Sequence, residues 1–220
     1  MKRLLVATLC LLATACTLTP STPPTSAPKS ADESPAVREA LAAYTTAAVA
    51  KDGATAVTVV ASTFLKVYDD VRKLALTATE QELADVPVSR RVIAYAMRGD
   101  LDAATLRSAS PKDLVTAAFN KGLVNAQNTG GIELGAVAVD GDVASAEVLV
   151  KGEKAPYKFR FLREDGRWKL DLEPVLALTD TALAAVAKQK NVTVEQLVEQ
   201  ALVTKYGAAK AAEVRKPIGA

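Results

Sequence analysis

The chain has 220 residues, 27 of them Lys or Arg and 25 Asp or Glu, with two cysteines and no histidine. The absence of histidine excludes Ser–His and Cys–His nucleophile pairs and the usual histidine-based zinc and iron sites. So close a balance of charge, with no basic block, excludes an electrostatic footprint for nucleic acid.

Met1-Lys2-Arg3 is a short positive start, and Leu4 to Leu12 is an apolar run of signal-peptide core length. A membrane span would need about 20 apolar residues, so this run is too short to be one. Ala13-Thr14-Ala15 satisfies an ordinary secretory cleavage site, but Cys16 follows it directly. Small residues ahead of a cysteine resemble the lipobox of bacterial lipoproteins, although Ala13 stands where that motif prefers Leu. The resemblance implies a signal peptide over residues 1–15 and diacylglycerol on the Cys16 sulfur, which becomes the first residue after cleavage.

Cys10 lies inside the segment to be removed, which leaves Cys16 as the only thiol. An internal disulfide framework or a cysteine-rich metal site is then excluded. Cleavage would also remove Lys2 and Arg3 and no acid, leaving 25 basic against 25 acidic residues. One acyl chain, at about 0.8 kcal/mol per buried methylene, binds a membrane only marginally, whereas several chains anchor firmly. Within the lipoprotein resemblance, Thr17 in place of Asp favours the outer over the inner membrane, with the protein facing the periplasm.

The stretch "TLTPSTPPTSAPKSADES" (Thr17–Ser34) is rich in Pro, Ser and Thr with no apolar period. Such a composition cannot offset its ordering entropy, so residues 16–34 are expected to be a lipidated cysteine followed by a solvated tether. Residues 35–220 then make a single domain with enough length for a core.

Ser34-Pro35 reads as an N-cap and first helical turn, followed by Val37, Leu41, Tyr44 and Ala48 at helical spacing up to Lys51-Asp52-Gly53. Val57, Val60, Phe64, Val67, Val71 and Leu74 predict one longer second helix. Shorter helices follow. Thr79-Glu80-Gln81-Glu82 has the capping-box pattern, Arg90 to Arg98 carries Val92, Ile93, Ala96 and Met97 on one side, and Ser110-Pro111-Lys112-Asp113 is another start.

From Gly131 the period alternates, and Ile132–Val139, Val143–Val150, Tyr157–Arg163 and Trp168–Glu173 read as four strands. With Asp165-Gly166 as a two-residue turn, Phe159 faces Leu172, Phe161 faces Leu170, Arg160 faces Asp171 and Lys158 faces Glu173. One face is then apolar and the other pairs opposite charges. After Pro174, Asp180–Lys190 and Thr193–Tyr206 read as two helices, with Gly207 as a stop, and the last residues, through Lys216-Pro217 to Ala220, are expected to fray. The fold class is α+β: N-terminal helices packed on a four-stranded antiparallel meander, with additional C-terminal helices.

The carboxylates suggest no catalytic constellation. Asp140-Gly141-Asp142 lacks the spaced oxygen ligands of a calcium loop and reads as a turn. Asp69-Asp70 reads as a solvated helix edge, and Asp171 and Glu173 as structural ion pairs. Tyr44, Tyr68, Tyr95 and Trp168 read as core aromatics.

Pro111 to Leu172, one helix and the sheet closing on the hairpin "FRFLREDGRWKLDL" (Phe159–Leu172), resembles the cone-shaped domains of the nuclear-transport-factor and ketosteroid-isomerase superfamily. The chain departs from them in lacking their extra hairpin between early helices and in adding helices after Pro174, and none of their catalytic residues can be matched here. The resemblance implies an apolar pocket between helices and sheet, behind Phe159, Phe161, Leu170 and Leu172.

The expectation is a membrane-anchored envelope lipoprotein of non-enzymatic role. It has no catalytic residues, metal or cofactor, and binds an apolar small ligand in that pocket. Two alternatives stay open: a protein-interaction or scaffold lipoprotein in envelope assembly, with an exposed apolar patch on the helices after Asp180, and an enzyme using carboxylates or tyrosines.

Overall fold

The computed structural model describes residues 32–123 and 131–218. The signal segment, Cys16 and the tether up to residue 31 lie outside the described residues. From Glu33 onward the chain forms one compact unit.

Helix α1 (Ser34–Ala50) starts one residue earlier than its sequence suggests, with Glu33 as the N-cap and Pro35 in the first turn. Its end is fixed by Lys51, whose left-handed backbone (φ 53°) lets its N–H reach the carbonyls of Ala47 and Ala48. Val37, Leu41, Tyr44 and Ala48 are all buried, as their spacing requires.

The single second helix expected from the Val57–Leu74 stripe is two helices, α2 (Gly53–Val59) and α3 (Ser62–Thr77). Between them Val60 and Ala61 are extended, Val60 bridges Leu170 in parallel, and the Ala61 N–H donates to the Leu170 carbonyl at 2.9 Å. The stripe continues in phase across the break because both helices present the same side to one core. Only a partner more than 100 residues away specifies the interruption.

Helices α4 (Glu80–Ala84) and α7 (Pro111–Asn120) begin with reciprocal capping boxes, Thr79 with Glu82 and Ser110 with Asp113. Between them lie α5 (Val88–Asp100) and α6 (Ala103–Ser108), the latter capped by Asp102. In α5 the buried Arg98 guanidinium donates to carbonyls at the end of α3, among them Ala75 at 2.8 Å, and to Arg215 at 2.9 Å. The Ala75 carbonyl lies in the last turn of α3, where a helix end leaves carbonyls without internal partners.

The sheet is an antiparallel meander in the order β1 (Ile132–Asp140), β2 (Val143–Val150), β3 (Glu153–Glu164), β4 (Arg167–Asp171). β3 starts earlier than expected, and its register against β2 shifts between Glu147 and Leu149. That shift accommodates Pro156, which has no N–H for the ladder. The last hairpin has the expected register through Phe161–Leu170 and Arg160–Asp171. It ends there. Leu172 is the N-cap of α8 (Glu173–Lys190), with Pro174 in its first turn, so the expected pairs Phe159–Leu172 and Lys158–Glu173 do not form. Lys158 instead stands opposite Glu147, and Glu173 pairs with Arg90 at 3.2 Å.

Helix α8 thus begins seven residues before the expected Asp180. Helix α9 (Val194–Tyr206) has a capping box at Thr193, and after Gly207 (φ 79°) comes a further helix that the sequence pattern does not indicate, α10 (Ala208–Val214). Ala144, Ala146, Val148, Phe159, Phe161 and Leu170 supply the sheet's side of one core. Helix α1 packs on β4 and β1, while α3 packs on α5 and α7. Glu33 joins the start of α1 to the hairpin by accepting from Trp168 Nε1 at 2.9 Å and from Arg163.

Candidate functional site: an interhelical cavity

The residues expected to line a pocket, Phe159, Phe161, Leu170 and Leu172, are all buried, with Phe161 and Leu170 fully so. They pack into the core beneath the helices and do not line the main cavity. Cys16 lies outside the described residues.

The main cavity is elsewhere. It has a volume of about 570 Å³, is partly open to solvent, and sits among helices rather than between helices and sheet. Sites for small organic molecules occupy roughly 300–1,000 Å³, so a ligand of that class fits. Helix α5 supplies one wall through Val92, Ile93, Ala96 and Met97, the apolar side visible in the sequence. Leu114, Ala117 and Ala118 of α7 form a second wall, and Ala201 and Leu202 of α9 a third. Tyr68 of α3 contributes a buried ring. At the mouth, Val92 and Leu123 are more than a third exposed although both are apolar.

Polar groups gather at the ends of these helices. Lys51 ends α1, Lys121 ends α7, and Asp100, Lys205 and Tyr206 close the α5–α9 side. Asp100 Oδ2 accepts from Lys205 Nζ at 2.6 Å and from the Tyr206 hydroxyl at 2.9 Å. Burial, then the neighbouring Asp100 carboxylate, pushes the Tyr206 phenol well above its ordinary value. Gly99 makes this arrangement fit: a Cβ there would lie 2.5 Å from Cζ of Tyr206. Lys51 lies across Gly122, with its Cε 3.1 Å from where a Cβ would stand. Gly122 also has φ +65°, so both conformation and contact favour glycine.

The other polar candidates are tied into structure. Asp171 is fully buried, paired with Arg160, bonded by the Thr63 hydroxyl at 2.8 Å, and accepts the Glu173 N–H at 3.1 Å. Asp69 and Asp70 pair with Arg72, Lys73 and Lys66. Bonds from Lys73, then Arg72, hold Asp69 below the ordinary carboxylate range. Burial raises the Tyr44 phenol to about 12 and the Tyr68 phenol higher still. Asp140-Gly141-Asp142 forms the β1–β2 turn, with Gly141 at φ +57°.

Among the described residues, no group of three or more His, Cys, Asp or Glu is placed to hold a metal ion. Among the same residues, no helix is long and apolar enough to cross a membrane. No protein-family model, curated protein or solved structure matches this chain.

Proposed function

We propose that this chain is a lipoprotein of the bacterial envelope, anchored through Cys16, whose domain holds an apolar small ligand without transforming it. One observation carries the binding half of the reading: a cavity of about 570 Å³ with apolar walls from three helices and exposed Val92 and Leu123 at its mouth. Leaving such surface open to water is unfavourable by about 25 cal/mol per Å², a cost that an apolar occupant removes. The anchoring half is supported by the basic start, the short apolar run and Ala13-Thr14-Ala15-Cys16.

Native mass spectrometry on protein released gently from a bacterial envelope tests the first half. Excess mass that disappears on denaturation is expected, and Ala96→Trp, which fills the cavity, should abolish it. A bare chain mass from both proteins would refute ligand holding. For the anchor, Cys16→Ser should move the protein from the membrane fraction to the soluble periplasm. A variant that stays with the membranes would overturn that half alone.

A scaffold role is the second reading, favoured by α8. Of its 18 residues only Ala187 is buried, and Val186 is 38% exposed. Replacing Val186 by Glu should then weaken crosslinking to an envelope partner while ligand mass is retained.

A further inference from the structure

The rim of the cavity is more specific than its walls. Three lysines from three separate helices, Lys51, Lys121 and Lys205, converge on it, against the single acid Asp100. Asp100 is already engaged by Lys205 and Tyr206, whose bonds converge on one oxygen. Lys51 and Lys121 make no ion pair among the described residues. Two cations are therefore left without acidic partners beside an apolar chamber.

Building on the ligand-holding reading above, we propose that the occupant is an anionic amphiphile: one acyl chain lying along Ile93, Met97, Leu114 and Leu202, with its carboxylate or phosphate at Lys51 and Lys121. The chemistry divides between the two parts of the site. Apart from the Tyr68 phenol the walls are apolar, so the chain gains affinity mainly by burial and tolerates variation in length. The head is read by charge. Lys51 and Lys121 are flexible ammonium groups at the solvent edge, suited to an anion as point charges rather than as a rigid fork.

Both lysines also end helices, where the macrodipole favours a cation, and this gives a purely structural account of them. The two accounts differ in what they move. Dipole neutralisation affects the stability of the empty protein and is indifferent to the ligand's head. Headgroup recognition changes the preference among ligands that share a chain.

The test uses the full chain carrying Cys16→Ser, titrated calorimetrically below their micelle concentrations with four twelve-carbon probes: dodecanoate, dodecyl phosphate, dodecanol and dodecyltrimethylammonium. The two anions should bind roughly tenfold more tightly than dodecanol at low salt, and the ammonium probe more weakly still, as expected for two partly screened charge contacts. Lys51→Ala/Lys121→Ala should bring the anions to within about twofold of dodecanol and leave dodecanol unchanged. A preference for dodecanoate over dodecyl phosphate, or the reverse, identifies the head. Equal binding of all four probes, or an anion preference that survives the double substitution, overturns the headgroup inference while leaving ligand holding intact. Binding of none overturns both. Thermal melts of the empty variant serve as the control: a lower melting temperature with unchanged head preference assigns the lysines to the helix ends and refutes the proposal.

Discussion

At the scale of single residues, the cavity depends on positions that carry no chemistry. Gly99 is the clearest. Its missing Cβ lets the Tyr206 ring lie against α5 and bond Asp100 at 2.9 Å. Gly99→Ala gains about 1 kcal/mol of helix propensity but forces the ring to move. Overpacking of this kind costs typically 1–3 kcal/mol, so a net loss of about 1 kcal/mol is expected by denaturant titration. In a Tyr206→Ala background the same substitution should become stabilising, and a loss that persists there would show that the ring is not the obstacle. No local pattern marks Gly99, because the ring it accommodates is more than a hundred positions away. Val92, Ile93, Ala96 and Met97 were legible as one side of a helix. Their exposure to a cavity was not, since an apolar stripe reads the same whether its neighbour is packed tightly or stands off.

Among whole elements, legibility followed the range of the interaction that decides each one. The capping boxes at Thr79 and Ser110 are local and occur where their patterns lie. The Asp165-Gly166 turn fixes its hairpin register locally too, and Phe161–Leu170 and Arg160–Asp171 pair as the turn requires. The same arithmetic overran at Leu172, because Pro174 at the start of a helix takes the chain out of the sheet. The break between α2 and α3 is decided by Leu170, and no local feature marks it. Ala61→Pro tests that account. The backbone at Ala61 (φ −71°, ψ 154°) suits proline, but its N–H would be lost and the ring would meet the Leu170 carbonyl. A loss of about 2 kcal/mol is expected, since a buried acceptor is left without its donor. Near-neutral stability would mean that the pairing does not hold the break in place.

The response of the whole molecule to pH follows from its composition. With no histidine, no side chain of ordinary pKa titrates near neutrality, so the denaturation midpoint should be nearly constant between pH 6 and 8. Below that range the carboxylates take over. Arg163, opposed by partial burial, holds Glu33 below its ordinary value; bonds from Lys66 do so for Asp70; and the caps do so for Glu82 and Asp113. Groups depressed in the folded state add stability above their unfolded values. That contribution is lost as pH falls through about 4.5 and onward through the folded values. A midpoint that falls between pH 8 and 6, or one that is flat from pH 5 to 3, would contradict this account.

The Ala61–Leu170 bond has a consequence for how copies of this chain meet one another. A sheet grows or sticks through its outermost strands, where unpaired N–H and carbonyl groups await a neighbour. On the β4 side, Val60 and Ala61 already pair with Leu170, so an incoming strand finds part of that border taken. On the β1 side the ladder slips between Leu134 and Val137, and Arg38 reaches across to the Leu134 and Gly135 carbonyls. Neither border therefore offers a long regular template, and the charges of Arg167 and Lys169 on β4 add to what keeps molecules crowded side by side from associating edge to edge.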